Sequence, residues 1–285
     1  MSRIAYVNGR YCPHAEAAVA IDDRGYQFGD GVYEVIYVHR GRLIDPGLHL
    51  DRLDRSLREM RLGAPLGRAA LRHVVAEVMR RNRVETGLIY MQITRGVVRR
   101  DHAFPDMPVP SSLVVTAKRL PPFPARIEDW IGTAITMPDQ RWARCDIKSI
   151  NLLPNVLARQ AAREAGATEA ILIGPDGCVT EGAATSVWVV DGQGVLRLRR
   201  LDARILPGCT RDALLGLLDE AGMSVTIGAC SEQDLRAARE IFLTSATSFV
   251  KPILQLDGQP VGDGTIGPVA RRMFALYAIH LDLAA

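Results

Sequence analysis

Lysine is nearly missing from this chain. Of 35 basic residues among 285, only Lys118, Lys148 and Lys251 are lysines, so arginine carries the positive charge. Arginine stays protonated at any working pH, whereas a lysine amine can shed its proton and attack a carbonyl, so the three can be weighed singly. Cysteine is sparse too. Cys12, Cys145, Cys178, Cys209 and Cys230 form an odd set with no C-x-x-C pair and no histidine at ligand spacing. That argues against a structural zinc site or a disulfide framework and suits a reducing cytoplasm, and no metal is expected. Nor is there a surplus of one charge: 35 basic and 32 acidic residues leave +3, scattered along the chain. A nucleic-acid partner or an anionic membrane surface is therefore not expected. The short basic stretches at 80–83 and 197–200 read as solvated faces. No apolar run approaches a membrane-spanning length and residues 1–9 lack the apolar core of a signal peptide, so no export is expected and the location expected is cytoplasmic.

What is present is the composition of a globular protein, 48% apolar and 24% charged, with length enough for two domains. Strand signals at 4–7, 17–21, 32–38 and 42–44 are punctuated by Asn8-Gly9, Asp30-Gly31 and Arg40-Gly41. Leu50, Leu53, Leu57 and Met60, then Leu71, Val74, Val75, Val78 and Met79, mark two amphipathic helices. Strands return at 88–94 and 113–117, flanking a loop from 95 to 110. Three prolines in four positions, Pro121, Pro122 and Pro124, make 119–124 the best linker. The expected domains are 1–118 and 125–285. In the second, strands are expected at 131–137, 169–173, 185–190 and 241–244, and helices at 152–165, 210–221, a short one opened by Ser231 with Asp234 as its capping partner, and a last one from Pro268. This order favours an α+β pair of domains over a doubly wound sheet.

Gly262-Asp263-Gly264-Thr265-Ile266-Gly267 matches the dinucleotide fingerprint by letter, but the chain ends too soon after it for the further strand and acidic residue that a Rossmann unit needs, so it reads as a glycine-rich turn. Lys118 at the linker and Lys251 before Pro252 read as exposed. Lys148, in Cys145-Asp146-Ile147-Lys148-Ser149-Ile150, has apolar neighbours that can withdraw it from water and depress its pKa, the condition for imine formation near neutrality; the alternative is a packed stem with its head in solvent. Four other features would be needed together if Lys148 held a phosphate-bearing aldehyde. Gly208-Cys209-Thr210 opens a helix, either a plain cap or an anion site. The turn Thr244-Ser245-Ala246-Thr247-Ser248 offers hydroxyls and amides. Arg52 lies among apolar helix positions, as a surface arginine or a phosphate counter-charge. Glu181, before Gly182, reads as a turn carboxylate, exposed or set against a ring nitrogen.

These residues carry a resemblance. From about Ile21 to Phe274 the chain resembles the pyridoxal-phosphate aminotransferases of fold type IV, most of all the D-amino-acid transaminases. The matches are densest at Asp23-Arg24-Gly25-Tyr26-Gln27-Phe28-Gly29-Asp30-Gly31-Val32-Tyr33-Glu34, Thr94-Arg95-Gly96, Arg141-Trp142 through Asn151-Leu152-Leu153, Val179-Thr180-Glu181-Gly182 and Pro207-Gly208-Cys209-Thr210-Arg211. The resemblance implies a smaller N-terminal α/β domain, a larger C-terminal pseudo-barrel domain and pyridoxal 5′-phosphate at their interface. It implies that Lys148 is the Schiff-base lysine and the acid and base at Cα, and that Glu181 faces the pyridine nitrogen. Arg52, Gly208, Cys209, Thr210, Ser245 and Ala246 would hold the phosphate, and Leu206 would pack on the ring.

The same resemblance implies the substrate. Arg100 and His102, two residues apart as in the D-amino-acid branch, would trap the substrate carboxylate with Tyr33, the loop reaching into the neighbouring subunit of a homodimer. Holding the anion there turns the Cα–H of a D-substrate toward the lysine. The implied reaction is ping-pong transfer from a D-amino acid to a 2-oxo acid, pyruvate or 2-oxoglutarate. The alternatives are a branched-chain L-amino-acid or (R)-amine aminotransferase, an aminodeoxychorismate lyase, and a non-catalytic binding protein on the same fold. Three departures from the family pattern stand out. Ala183-Ala184 replaces part of a serine- and asparagine-rich run, Ala246 replaces a frequent threonine, and Tyr37 stands where some relatives carry a lysine.

Overall fold

In the computed structural model, which describes residues 3–284, β1 (Ile4–Val7) and β2 (Arg10–Pro13) form a hairpin whose turn, Asn8-Gly9, has positive φ at both positions. That is the geometry Asn-Gly adopts with least strain. After α1 (Arg24–Phe28) come β3 (Gly31–His39), β4 (Arg42–Leu43), α2 (Pro46–Glu59), α3 (Arg68–Asn82), β5 (Gly87–Thr94) and β6 (Ser112–Arg119). The six strands pair in the order β2-β1-β6-β5-β3-β4, all antiparallel. Val32, Ile36 and Val38 of β3 share a core with Leu50, Leu53 and Leu57 of α2 and Leu71, Val75 and Val78 of α3. Each such side chain contributes on the order of 2 kcal/mol of burial. Alternation along β3 thus seats the helices on one face of the sheet.

The chain divides into two compact units, one built from residues up to Pro122 together with Ile147–Asn151, the other from Phe123–Asp146 and Leu152–Leu283. The second unit carries β7 (Gly132–Pro138), α4 (Leu153–Glu164), β8 (Glu169–Ile173), β9 (Val179–Gly182), β10 (Ser186–Val190), β11 (Leu196–Arg199), α5 (Cys209–Glu220), β12 (Thr226–Gly228), α6 (Glu232–Arg236), β13 (Glu240–Ser245), β14 (Phe249–Leu256), β15 (Gln259–Pro260) and α7 (Pro268–Ala284). Its nine-stranded sheet runs β12-β11-β10-β13-β14-β7-β8-β9, with β15 on β14. Ile171, Val187, Val189, Ile241, Leu243 and Ile253 form one core, and Ala158, Ala162, Ala170 and Leu172 another. This is the mixed α+β architecture expected from the sequence. Ser231 and Asp234 close the capping box that opens α6.

Several local expectations fail. Residues 17–21, expected as a strand, belong to none: the backbone is extended at Ala17, but no neighbour pairs with it, and Val19 and Ile21 are exposed. β14 is not among the expected strands; it contains Pro252, a residue disfavoured in a central strand, beside a register shift against β7 at Ile253/Gln255. Lys251, on this strand, is half-buried with its Nζ 3.8 Å from the Trp130 ring centroid, and burial pulls its pKa down. Arg199 is not on a solvated face but buried, donating to the Val179 carbonyl at 2.9 Å and to Asp202 at 2.8 Å. Glu181 lies on β9, not on a turn.

Candidate active site

In the first unit the site is built on the start of β3. Residues 147–151 run antiparallel beside it: Tyr33 N donates to the Lys148 carbonyl at 3.0 Å, Ile150 N donates to Gly31 O at 3.1 Å, and Val32 bridges Ser149. Ile147 enters the core on this side, and Lys148 N donates to Ser56 Oγ of α2 at 3.3 Å. The approach is close enough that a Cβ on Gly31 would stand 2.7 Å from Ile93 O and 3.0 Å from Ile150 Cδ1, so only glycine fits. Lys148 is therefore held by its backbone, with a half-buried side chain whose Nζ lies 4.2 Å from the Tyr33 ring centroid.

Beneath this segment lies an ion cluster that the sequence reading passed over. Glu34, fully buried on the core-facing side of β3, accepts from Arg52 Nε and Nη2, each at 2.7 Å, and its Oε2 lies 2.8 Å from His49 Nδ1. Burial alone would raise the Glu34 carboxyl, but the Arg52 charge and the bonds from Arg52 and His49 outweigh it and hold the group at about 2. For His49 burial dominates and lowers the pKa. The overlooked signal was a carboxylate at a core position of an alternating strand, two residues from Val32 and from Ile36. Arg52 is buried, so it is not a surface arginine.

The loop that carries Arg100 and His102 is exposed, but its ends are not loose. Arg100 stacks on Phe28 at 5.0 Å and the His102 ring lies 5.3 Å from the same ring. Tyr33 stacks on Tyr90 at 5.7 Å.

In the second unit β9 places Glu181 in a buried position, where Oε1 accepts from Arg141 Nη1 and Oε2 accepts from Leu206 N at 3.2 Å. Arg141 also donates to Asp139 Oδ2 at 2.7 Å, and Asp139 accepts from Thr180 Oγ1 at 2.7 Å. Burial works against the Arg141 charge, but its two carboxylate neighbours hold it firmly protonated. Burial pushes the Cys145 thiol up to about 11. Leu206 is thereby fixed beside Glu181 through its own amide. α5 begins with Gly208 at the N-cap and buries Cys209 and Thr210 in its first turn. A Cβ on Gly208 would come within 2.8 Å of Ser186 Oγ, so glycine is required at the helix entry. Ser245 ends β13, and its Oγ accepts from Ser248 N at 3.0 Å. Thr244 accepts from Trp188 Nε1 at 2.9 Å, which anchors the strand that leads into the turn at Ala246.

Each unit by itself carries groups suited to an aldehyde cofactor with a phosphate: the first a backbone-fixed primary amine, Lys148, and a buried arginine, Arg52; the second a buried carboxylate, Glu181, and the helix N-terminus at Gly208.

Comparison with known proteins agrees. The family model described as amino-transferase class IV matches residues 31–256. A D-alanine aminotransferase of Bacillus licheniformis is 41% identical over 93% of this chain and 93% of its own. Another, of Listeria monocytogenes, is 39% identical over 98% and 96%. Among solved structures, the branched-chain aminotransferase of the archaeon Thermoproteus uzoniensis with norvaline superposes with a TM-score of 0.85 at 23% identity, covering 99% of this chain and 96% of that one. A hypothetical aminotransferase of Mycobacterium tuberculosis in its PLP-bound form superposes with a TM-score of 0.82 at 23% identity, covering 99% and 98%. The chain belongs to the class IV aminotransferases. It is an enzyme of fold type IV that depends on pyridoxal phosphate, as the sequence resemblance implied.

Proposed function

We propose that this enzyme passes an amino group from a D-amino acid of the alanine or glutamate type to a 2-oxo acid, pyruvate or 2-oxoglutarate, working as a cytoplasmic homodimer. The observation that carries the reading is the gathering of Arg100 and His102 on one ring, Phe28, so that two carboxylate-seeking side chains emerge from one short loop. The curated relatives at 41% and 39% identity, both named D-alanine aminotransferase, support it.

Lys148 is the catalytic residue. Its Nζ would hold the cofactor through the aldehyde carbon and, when free, would move the proton between the substrate Cα and that same carbon. Pyridoxal phosphate supplies an aldehyde that links to amines and a ring that accepts the electron pair of the broken Cα–H bond. Glu181 keeps the ring nitrogen protonated, with Arg141 and Leu206 N orienting its oxygens. Arg52 answers the phosphate charge from the rigid seat made by Glu34. The α5 entry at Gly208, Cys209 and Thr210 and the Ser245-Ala246 turn would also hold the phosphate, and Leu206 would pack against the ring. With alanine at 246 the grip there comes from backbone amides. Tyr33 joins Arg100 and His102 in binding the substrate carboxylate, so chirality follows from where the anion is held.

Purified enzyme given D-alanine and 2-oxoglutarate should form D-glutamate and pyruvate in equal amounts. Half-reactions with L-leucine and (R)-1-phenylethylamine, read by loss of the visible cofactor band, should be far slower. A faster response to L-leucine would reassign the enzyme to branched-chain substrates, a faster response to the amine to (R)-amines, and pyruvate release from aminodeoxychorismate without amine transfer would make it a lyase. After borohydride treatment the cofactor mass should lie on Lys148, and the band should vanish in Lys148→Ala but persist in Lys118→Ala and Lys251→Ala.

A further inference from the structure

We infer that Arg24 is the positioning residue of the Arg100–His102 loop, acting through three consecutive backbone carbonyls; the inference rests on the proposed role of that loop in binding the substrate carboxylate. Arg24 is 3% exposed on α1, and its guanidinium directs its donors to one carboxylate and one loop. Nε donates to Asp30 Oδ2 at 2.8 Å, Nη1 to the carbonyls of Asp101 and of Ala103, the latter at 3.2 Å, and Nη2 to the carbonyl of His102 at 3.3 Å.

The carboxylate end of this clamp is itself immobilised. Asp30, 6% exposed, also accepts from Arg95 Nε at 2.7 Å and Nη2 at 3.0 Å, while Arg95 donates to the carbonyls of Met60 at 2.8 Å and Arg61 at 2.9 Å. The Arg95 guanidinium lies 3.7 Å from the centroid of Phe104, just past the clamped carbonyls. The loop's own turn is closed by Ala103 N donating to Asp101 Oδ1 at 3.0 Å. Two buried arginines and a buried aspartate, groups that are costly to desolvate, are thus committed to a segment with no strand or helix and with exposed side chains.

That arrangement adds little to the core. What it does determine is where the backbone at 101–103 points, and with it the residue joined to its start, Arg100. With three carbonyls turned onto one guanidinium, the Cα–Cβ bonds of Arg100 and His102 are set, and both side chains fall on Phe28, over which Arg24 also stacks at 4.8 Å. A lysine at 24 could keep the charge opposite Asp30 but, with a single ammonium, could not serve a carboxylate and three carbonyls in a plane. A loop displaced by about 1 Å loses carboxylate affinity even though Arg100 and His102 are intact.

The test is Arg24→Lys in the holoenzyme, with Asp30→Asn as the second variant should the first fail to fold, folding being judged by the thermal midpoint. The half-reaction with D-alanine should show an apparent dissociation constant raised tenfold or more with its limiting rate within threefold of wild type. In an Arg100→Ala/His102→Ala background the same substitution should add less than twofold. Independently of activity, trypsin should cut after Arg99 or Arg100 at least tenfold faster in Arg24→Lys than in wild type. If Arg100→Ala/His102→Ala weakens D-alanine binding while the Arg24 variant changes neither binding nor nicking, the positioning role is refuted and the carboxylate trap stands. If Arg24→Lys speeds nicking but Arg100→Ala/His102→Ala leaves D-alanine binding unchanged, the trap is refuted instead, and with it the functional meaning of the clamp. Additive losses in the combined variant would reduce Arg24 to a general structural role and overturn the proposal.

Discussion

Replacing Glu34 by glutamine removes one charge from the cluster beneath Lys148 and keeps its shape. The glutamine can accept from only one side of the Arg52 fork, so a buried guanidinium loses one of its two bonds to this side chain and the negative charge that Glu34 supplies. Holding the carboxyl at about 2 against an ordinary 4.5 makes the ionised form worth about 3 kcal/mol of folding stability at neutral pH. That agrees with the roughly 3–5 kcal/mol lost when one partner of a buried pair is deleted. The sign follows from the direction of the shift. A group whose pKa is lowered by folding stabilises fully above its unfolded value and loses that contribution as pH falls toward its folded value. The gap between wild type and Glu34→Gln should therefore be about 3 kcal/mol at pH 7 and shrink to roughly half of that at pH 3. Urea unfolding at both values, followed by far-ultraviolet circular dichroism, measures it. A gap below about 0.5 kcal/mol at pH 7, or one that does not change with pH, would refute the electrostatic account of this cluster. If Arg52 answers the phosphate, the variant should also bind pyridoxal phosphate at least tenfold more weakly in equilibrium dialysis.

Arg141→Met should cost about 3 kcal/mol or more, because Glu181 and Asp139 lose a shared buried cation; a thermal melt reads it, and an unchanged midpoint would mean that the pair is not buried as described. Gly208→Ala puts a methyl 2.8 Å from Ser186 Oγ at the α5 entry, so cofactor affinity measured by dialysis should fall severalfold with only a small change in melting temperature. Gly31→Ala must push the end of β5 away from the start of β3, since Ile93 O is backbone and cannot rotate aside, and must also displace Ile150 Cδ1 of the Lys148 segment; a loss of about 2 kcal/mol together with slower formation of the visible band is expected in reconstitution. Trp188→Phe removes the donor to Thr244 and should cost about 1 kcal/mol of stability, measured in urea, without changing substrate affinity.

The amphipathic helices α2 and α3 and strands such as β8 and β13 were legible in sequence because side-chain periodicity is a local property of a half-buried element. β14 was not; it contains Pro252, a residue penalised by a rule that assumes regular pairing on both sides, and residues 17–21 have the composition of a strand without a partner. Lys148 could be singled out because two other lysines were easily set aside, although one of these, Lys251, proved half-buried. Arg52, Glu181 and Gly208 were identified as residue types without their surroundings. Glu34, His49, Asp139 and Arg141 had no assigned role at all, for what makes them matter is a partner 15 to 41 positions away in the chain, as for His49 with Glu34 and Thr180 with Asp139.

The amino-acid sequence by itself determined which groups exist and most of the segments that are helix or strand: one amine with apolar neighbours, a glycine-led helix entry, an arginine and a histidine two residues apart. Those features depend on neighbours within a turn or two. Only the tertiary structure decided that Lys148 joins β3 while the residues flanking its segment belong to the other unit, that Arg52 is braced by Glu34, and that Arg24 fastens the loop beyond Arg99. A buried charge takes its meaning from the counter-charge and carbonyls that replace its water, and the folded chain alone brings those within reach.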